Sequence, residues 1–178
     1  MSIVPDTKDW TWVLQRPCPE CGFETSSFGL AELPSMIRAN TAAWQDVLGG
    51  GPSVTGRVAP GKWSPLEYGC HVRDVLRLYD YRLSLMLTQD DPLFPNWDQD
   101  ETAVAERYGE QDPATVAAEL AEAGEAIAGS FAAVHGDQWS RKGRRSDGAQ
   151  FTVETFARYL IHDPVHHLWD VTGQQHAS

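Results

Sequence analysis

Two histidines one helical turn apart stand in the run His162-Asp163-Pro164-Val165-His166-His167. Residues four apart on an α-helix lie one above the other on the same face, so His162 and His166 aim both imidazoles at one point. Neutral imidazole suits zinc, nickel, manganese or iron, but two rings alone leave such an ion short of ligands. His71 offers a third. It shares a helix face with Tyr68, Val75 and Leu78, an apolar stripe that turns it inward. Asp74, three residues on, is placed to hold the spare ring nitrogen as an outer partner. The spacing predicts one divalent metal ion, zinc first, held by His71, His162 and His166 with open positions left for chemistry. His167 is rotated about 100° from His166 and is read as a packing or hydrogen-bonding residue. His135 and His176 read as a helix end and a tail residue. Trp97, Arg158, Tyr159 and Trp169 are the candidate pocket residues, which gives the ion a mainly aromatic surround.

Two other patterns carry chemistry. The stretch from His162 to His166 has the spacing of the His-Glu-x-x-His zinc-protease signature, but Asp163 is a methylene short of the general-base glutamate and Pro164 follows it. Only a short tail remains to supply a distal ligand, so the protease reading ranks low. Cys18-Pro19-Glu20-Cys21-Gly22 is half of a zinc-ribbon knuckle without its second cysteine pair. Three readings stay open for it: zinc with outside ligands, a redox disulfide, or a tight turn with reduced thiols, the last being preferred.

Helices must position these groups. Apolar residues Leu33, Met36, Ile37, Trp44, Val47 and Leu48 recur at helical spacing over residues 33–48, and Gly49-Gly50-Gly51 ends the segment. Ser64-Pro65-Leu66-Glu67 supplies a cap, a first-turn proline and a capping-box glutamate for a helix reaching residue 87. A third helix starts at Asp112-Pro113 and buries Val116, Leu120, Ile127, Phe131 and Val134. The fourth runs from about residue 152 to 171, with Phe151 as a hydrophobic staple and Pro164 predicting a kink between the paired histidines. The connection over residues 93–111 is unusually long and suggests function. These elements predict an all-α four-helix bundle over residues 31–178. Residues 1–30, with the alternation Asp9-Trp10-Thr11-Trp12-Val13-Leu14 and the Cys-x-x-Cys turn, predict an extended strap laid over it.

Composition limits the partners. With 14 Lys+Arg against 25 Asp+Glu, the net charge of −11 repels nucleic acid and anionic membranes. Arg141, Lys142, Arg144 and Arg145 form the sole basic cluster, read as a solvated loop. No apolar stretch approaches the roughly 20 residues that span a bilayer. The start Met1-Ser-Ile-Val-Pro-Asp6 lacks a signal-peptide pattern, and three cysteines do not make a disulfide framework, so a cytoplasmic location is expected.

The segment Trp63-Ser64-Pro65-Leu66-Glu67-Tyr68-Gly69-Cys70-His71-Val72-Arg73-Asp74, followed far downstream by the histidine-rich run, resembles the DinB-like superfamily over about residues 28–172. That superfamily includes bacillithiol transferases and mycothiol-dependent maleylpyruvate isomerase. The resemblance implies a four-helix bundle and a metal held by His71, His162 and His166, the strap lying outside the likeness. It implies a small-molecule thiol and an electrophile as partners. A metal-dependent thiol S-transferase is the expected activity, with a non-catalytic metal-binding or stress-response protein of the same fold as the alternative. Bundles of this kind often dimerise, although no residue here requires a homodimer.

Overall fold

The computed structural model describes residues 9–174; Met1 to Asp6 and His176, discussed above, lie outside the described residues. Four long helices, α1 (Leu33–Leu48), α2 (Pro65–Thr88), α4 (Pro113–Ala132) and α5 (Val153–Thr172), form the bundle. A short α3 (Gln99–Ala105) sits in the long connection, and a hairpin of β1 (Lys142–Arg144) and β2 (Gln150–Thr152) precedes α5. The closest packing runs between α1 and α4 and between α2 and α4, while α5 lies against α1 and α2.

The helix boundaries follow local chemistry. Ser64 Oγ accepts the Glu67 N–H at 3.2 Å and Glu67 Oε2 accepts the Ser64 N–H at 2.8 Å, which closes the capping box of α2. Asp112 Oδ2 accepts the Thr115 N–H at 2.8 Å and starts α4. Phe151 is buried against Phe156, ring centroids 5.8 Å apart, which is the staple expected for α5. Gly173, at φ 68°, ends that helix in the left-handed region. Helix α5 continues through Pro164, whose carbonyl accepts from Asn40 Nδ2 at 3.2 Å and Trp44 Nε1 at 3.3 Å, so the proline ties α5 to α1.

Glu67 also pairs with Arg57, and this gives a pH signature. Burial works to raise its carboxyl, but hydrogen bonds from Arg57 and Ser64 outweigh burial and hold it below its ordinary value. A carboxyl depressed in the folded state stabilises above its unfolded pKa of about 4.3 and loses that contribution as pH falls through the folded value. Glu67→Gln should therefore cost about 1–2 kcal/mol at pH 7. Thermal melts of the two proteins should converge as pH falls through the folded value of Glu67.

The hairpin replaces the expected solvated loop. Arg141 donates from Nε to the Met86 carbonyl and from Nη2 to the Gln89 carbonyl, both at 2.6 Å, and so caps the end of α2. Arg144 pairs with Asp91 at 3.0 Å and Arg145 with Asp147 at 2.6 Å. Three of the four cations are thus spent on local partners, and the cluster is not a basic patch. Gly143 is required between them: a Cβ there would stand 2.6 Å from the Phe94 ring.

The N-terminal strap packs on α5 and contributes to the core. Its one described helical turn is a 3-10 turn at Thr11–Leu14. Val13 is buried, and Cys18, Cys21 and Phe23 belong to the same hydrophobic cluster as the bundle. Arg158 Nη1 donates to the carbonyls of Thr25 at 2.7 Å and Phe28 at 3.1 Å, pinning the strap to α5. No described helix is long and apolar enough to cross a membrane.

Candidate metal centre

Helix α5 carries two ligand pairs in adjacent registers. His162 and His166 lie on one face, and Asp163 and His167 on the next. The structure sends these faces to different neighbours. His162 and His166 meet Cys18 and Cys21 of the strap, all four buried, with one ligand atom of each within 4.8 Å of the others. Asp163 and His167 meet His71 of α2 under the same limit. Of the sequence-based trio, His162 and His166 stand in the first cluster and His71 in the second, and all three line one cavity.

The His71 group has the features of an ion site. His71 Nε2 is 3.5 Å from Asp163 Oδ1, and His167 Nε2 is 3.8 Å from Asp163 Oδ2. Metal bonds near 2.0–2.2 Å place adjacent N and O ligands about 2.9–3.4 Å apart, so this spacing is only slightly wider than a bound set. Both ring nitrogens of His71 and Oδ1 of Asp163 are buried without a hydrogen bond of ordinary geometry, Nε2 and Oδ1 meeting each other only as the 3.5 Å pair. Such orphans cost free energy unless something else satisfies them, and a cation does so directly. The donor set, two imidazoles and a carboxylate, fits a divalent ion with coordination positions to spare.

The surroundings orient this set. His167 Nδ1 lies 2.9 Å from Asp170 Oδ2, and a carboxylate on one ring nitrogen leaves the other, Nε2, directed at the cluster as a lone pair. His71 is held between Trp63 and the stacked Trp97, ring centroids 5.3 and 5.7 Å away. Burial raises the Asp163 carboxyl, but the neighbouring His71 and His167 outweigh it and hold the group well below the usual carboxylate range.

Asp74 does not hold the spare nitrogen of His71. It accepts the Tyr108 hydroxyl at 2.5 Å and pairs with Arg73 at 2.8 Å, because Tyr108 from the long connection reaches in and claims it. Of the four expected pocket residues, Trp97 and Tyr159 line a cavity of about 650 Å³ together with His71, His162, Asp163, His166 and His167. Arg158 is turned to the strap carbonyls instead. Trp169 packs on His166, centroids 5.3 Å apart, outside the cavity lining. The sequence reading missed Arg82, which brings a cation to the cavity wall, the Arg145–Asp147 pair beside it, and Trp10 and Glu20, which the strap contributes.

A model of the DinB superfamily matches residues 7–171. The chain belongs to the DinB superfamily. The match takes in most of the strap, which therefore lies inside the family's extent, beyond the residue 28 at which the resemblance was expected to begin. Among solved structures, this DinB protein is similar to YfiT from Bacillus subtilis, described as a probable metal-dependent hydrolase with an unusual four-helix bundle topology. The two share 17% identity at a TM-score of 0.74, over 83% of this chain and 88% of that one, a likeness of fold. A search of curated proteins returns no match.

Proposed function

We propose that this DinB protein is a metal-dependent transferase that activates a small thiol for attack on an electrophile, with His71, Asp163 and His167 holding the ion. The observation that carries the reading is the convergence of His71, Asp163 and His167 ligand atoms within 4.8 Å of one another at a cavity wall, with neither His71 ring nitrogen in a hydrogen bond of ordinary geometry. A divalent ion there supplies Lewis acidity, which lowers the pKa of a coordinated thiol into the neutral range.

The chain's own residues supply the rest. Trp63 and Trp97 fix the plane of His71 and screen it from water. The cavity, at about 650 Å³, has room for a thiol together with a second substrate. Arg82, 6% exposed and with its Nε unpartnered among the described residues, offers its charge to a carboxylate on either of them. The test is an assay of metal-loaded protein against electrophiles with and without low-molecular-weight thiols. Electrophile consumption that requires the thiol, with thioether product formed in equal amount, is expected. Cleavage of esters or amides without any thiol would replace this reading with a hydrolytic one, the class of activity ascribed to YfiT. No turnover under either condition would leave a metal-binding protein.

A further inference from the structure

We infer that Cys18, Cys21, His162 and His166 form a second metal site, closed and tetrahedral, that takes zinc and fastens the N-terminal strap to α5. The distances support it first. Cys18 Sγ is 3.7 Å from His166 Nδ1, and Cys21 Sγ is 3.7 Å from His162 Nε2. A tetrahedral zinc ion with sulfur at about 2.3 Å and nitrogen at about 2.0–2.1 Å sets its S and N ligands about 3.6 Å apart. The pairs thus stand at bound-state separation.

The local backbone is shaped for the same task. The Gly22 N–H donates to the Cys18 carbonyl and the Cys18 N–H to the Phe23 carbonyl, both at 2.9 Å, with Gly22 at φ 75°. This tight turn presents both sulfurs on one side, as a zinc knuckle does. Glu20, inside the turn, places its carboxylate 3.3 Å from His166 Nε2. A proton held there leaves Nδ1 as a lone pair facing Cys18, the arrangement of a ligating histidine with an outer carboxylate partner.

Ligand type distinguishes this site from the His71 group, and all four of its residues are buried whereas Asp163 and His167 are half-buried. Cys18 and Cys21 are 1% and 0% exposed, and His162 and His166 4% and 6%. Four protein ligands leave no position for substrate, which is the mark of a structural ion. Two sulfurs favour a soft or borderline ion such as zinc, whereas two imidazoles and a carboxylate accept harder ones. Both cysteines are free thiols, so no disulfide accounts for their approach. The consequence reaches the cavity. Trp10 lies over His162 and His166, centroids 5.7 and 5.1 Å away, and Trp10 and Glu20 form part of the cavity wall. An ion between strap and α5 fixes that wall in place.

The experiment is metal analysis and cobalt substitution of the full chain. After dialysis against a mild chelator, one equivalent of zinc per chain should remain and should be released by a thiol-blocking mercurial. Cobalt(II) exchanged into that site should show thiolate-to-metal charge-transfer absorption, lost in Cys18→Ser and Cys21→Ser and kept in His71→Ala. Fully cobalt-loaded wild-type protein without this absorption overturns the inference, and needs no variant to fold. Undiminished zinc in Cys18→Ala/Cys21→Ala overturns it too, while leaving the His71 site standing. Failure of the thiol assay, with the charge-transfer band present, would sink the proposed activity alone.

Discussion

His71→Ala should lower turnover by at least about 100-fold, since loss of an outer partner alone typically costs a metal site 10- to 100-fold and His71 is placed as a direct ligand. The substitution removes the one ligand that α2 brings to Asp163 and His167, and what remains is two side chains on a single turn of α5. Asp163→Asn should act in the same direction while preserving shape, because it removes the only formal negative charge in the donor set. His166→Ala is the informative contrast. If one ion were held by His71, His162 and His166, this variant would lose it. With the ligands divided as the structure has them, the ion at His71 is retained in His166→Ala, and only the strap site is emptied. Metal content measured on the purified variants separates the two outcomes.

A comparably large effect is expected on stability from the strap. Binding a structural zinc ion contributes about 10–16 kcal/mol in small zinc domains, where nothing else holds the ligands together. Here Val13, Phe23 and the Arg158 hydrogen bonds keep part of the strap docked without the ion. A smaller loss, on the order of 3–5 kcal/mol, should follow in Cys18→Ser/Cys21→Ser, which at 2–4 °C per kcal/mol lowers the melting temperature by about 10 °C. Burial also pushes the Cys21 thiol up to about 12 and the His162 imidazole down to about 4, so both are neutral at pH 7 unless an ion binds. Serine is close to cysteine in size, and with Val13, Phe23 and Arg158 still in place the variant should fold. Calorimetry with and without added zinc measures the difference: the wild type should gain stability from zinc and the double variant should gain none. Equal melting temperatures for both proteins in zinc would contradict a structural role.

The bundle was legible because its signals are local. Ser64-Pro65-x-Glu67, Asp112-Pro113 and Phe151-Thr152 each mark a helix start by hydrogen bonds or contacts within a few residues, and the structure contains each one. The hairpin at Lys142–Arg144 was not legible, since strands of this length carry too few residues to show alternation. Arg141 and Arg145 likewise read as solvated because their carbonyl and phenol partners come from α2 and α5.

The grouping of the ligand-type residues was harder to read, for a sharper reason. Four-residue spacing identifies pairs on α5, but His162-Asp163-x-x-His166-His167 contains two such pairs, and spacing does not say which face meets α2. That choice depends on the rotation of α5 in the bundle. The rotation is set by Pro164 anchoring to Asn40 and Trp44 on α1 and by Arg158 holding the strap. The signal that could have resolved it was present in Cys18 and Cys21. A cysteine pair that holds zinc needs two further ligands, and assigning His162 and His166 to it leaves Asp163 and His167 for His71.

The division of ligands on α5 is tested most directly by crystals of the metal-loaded protein measured above and below the zinc absorption edge. Two anomalous peaks are expected: one within bonding distance of His71, Asp163 and His167, the other enclosed by Cys18, Cys21, His162 and His166. A single peak bonded at once to His71, His162 and His166, or density that avoids His71 altogether, would contradict the account.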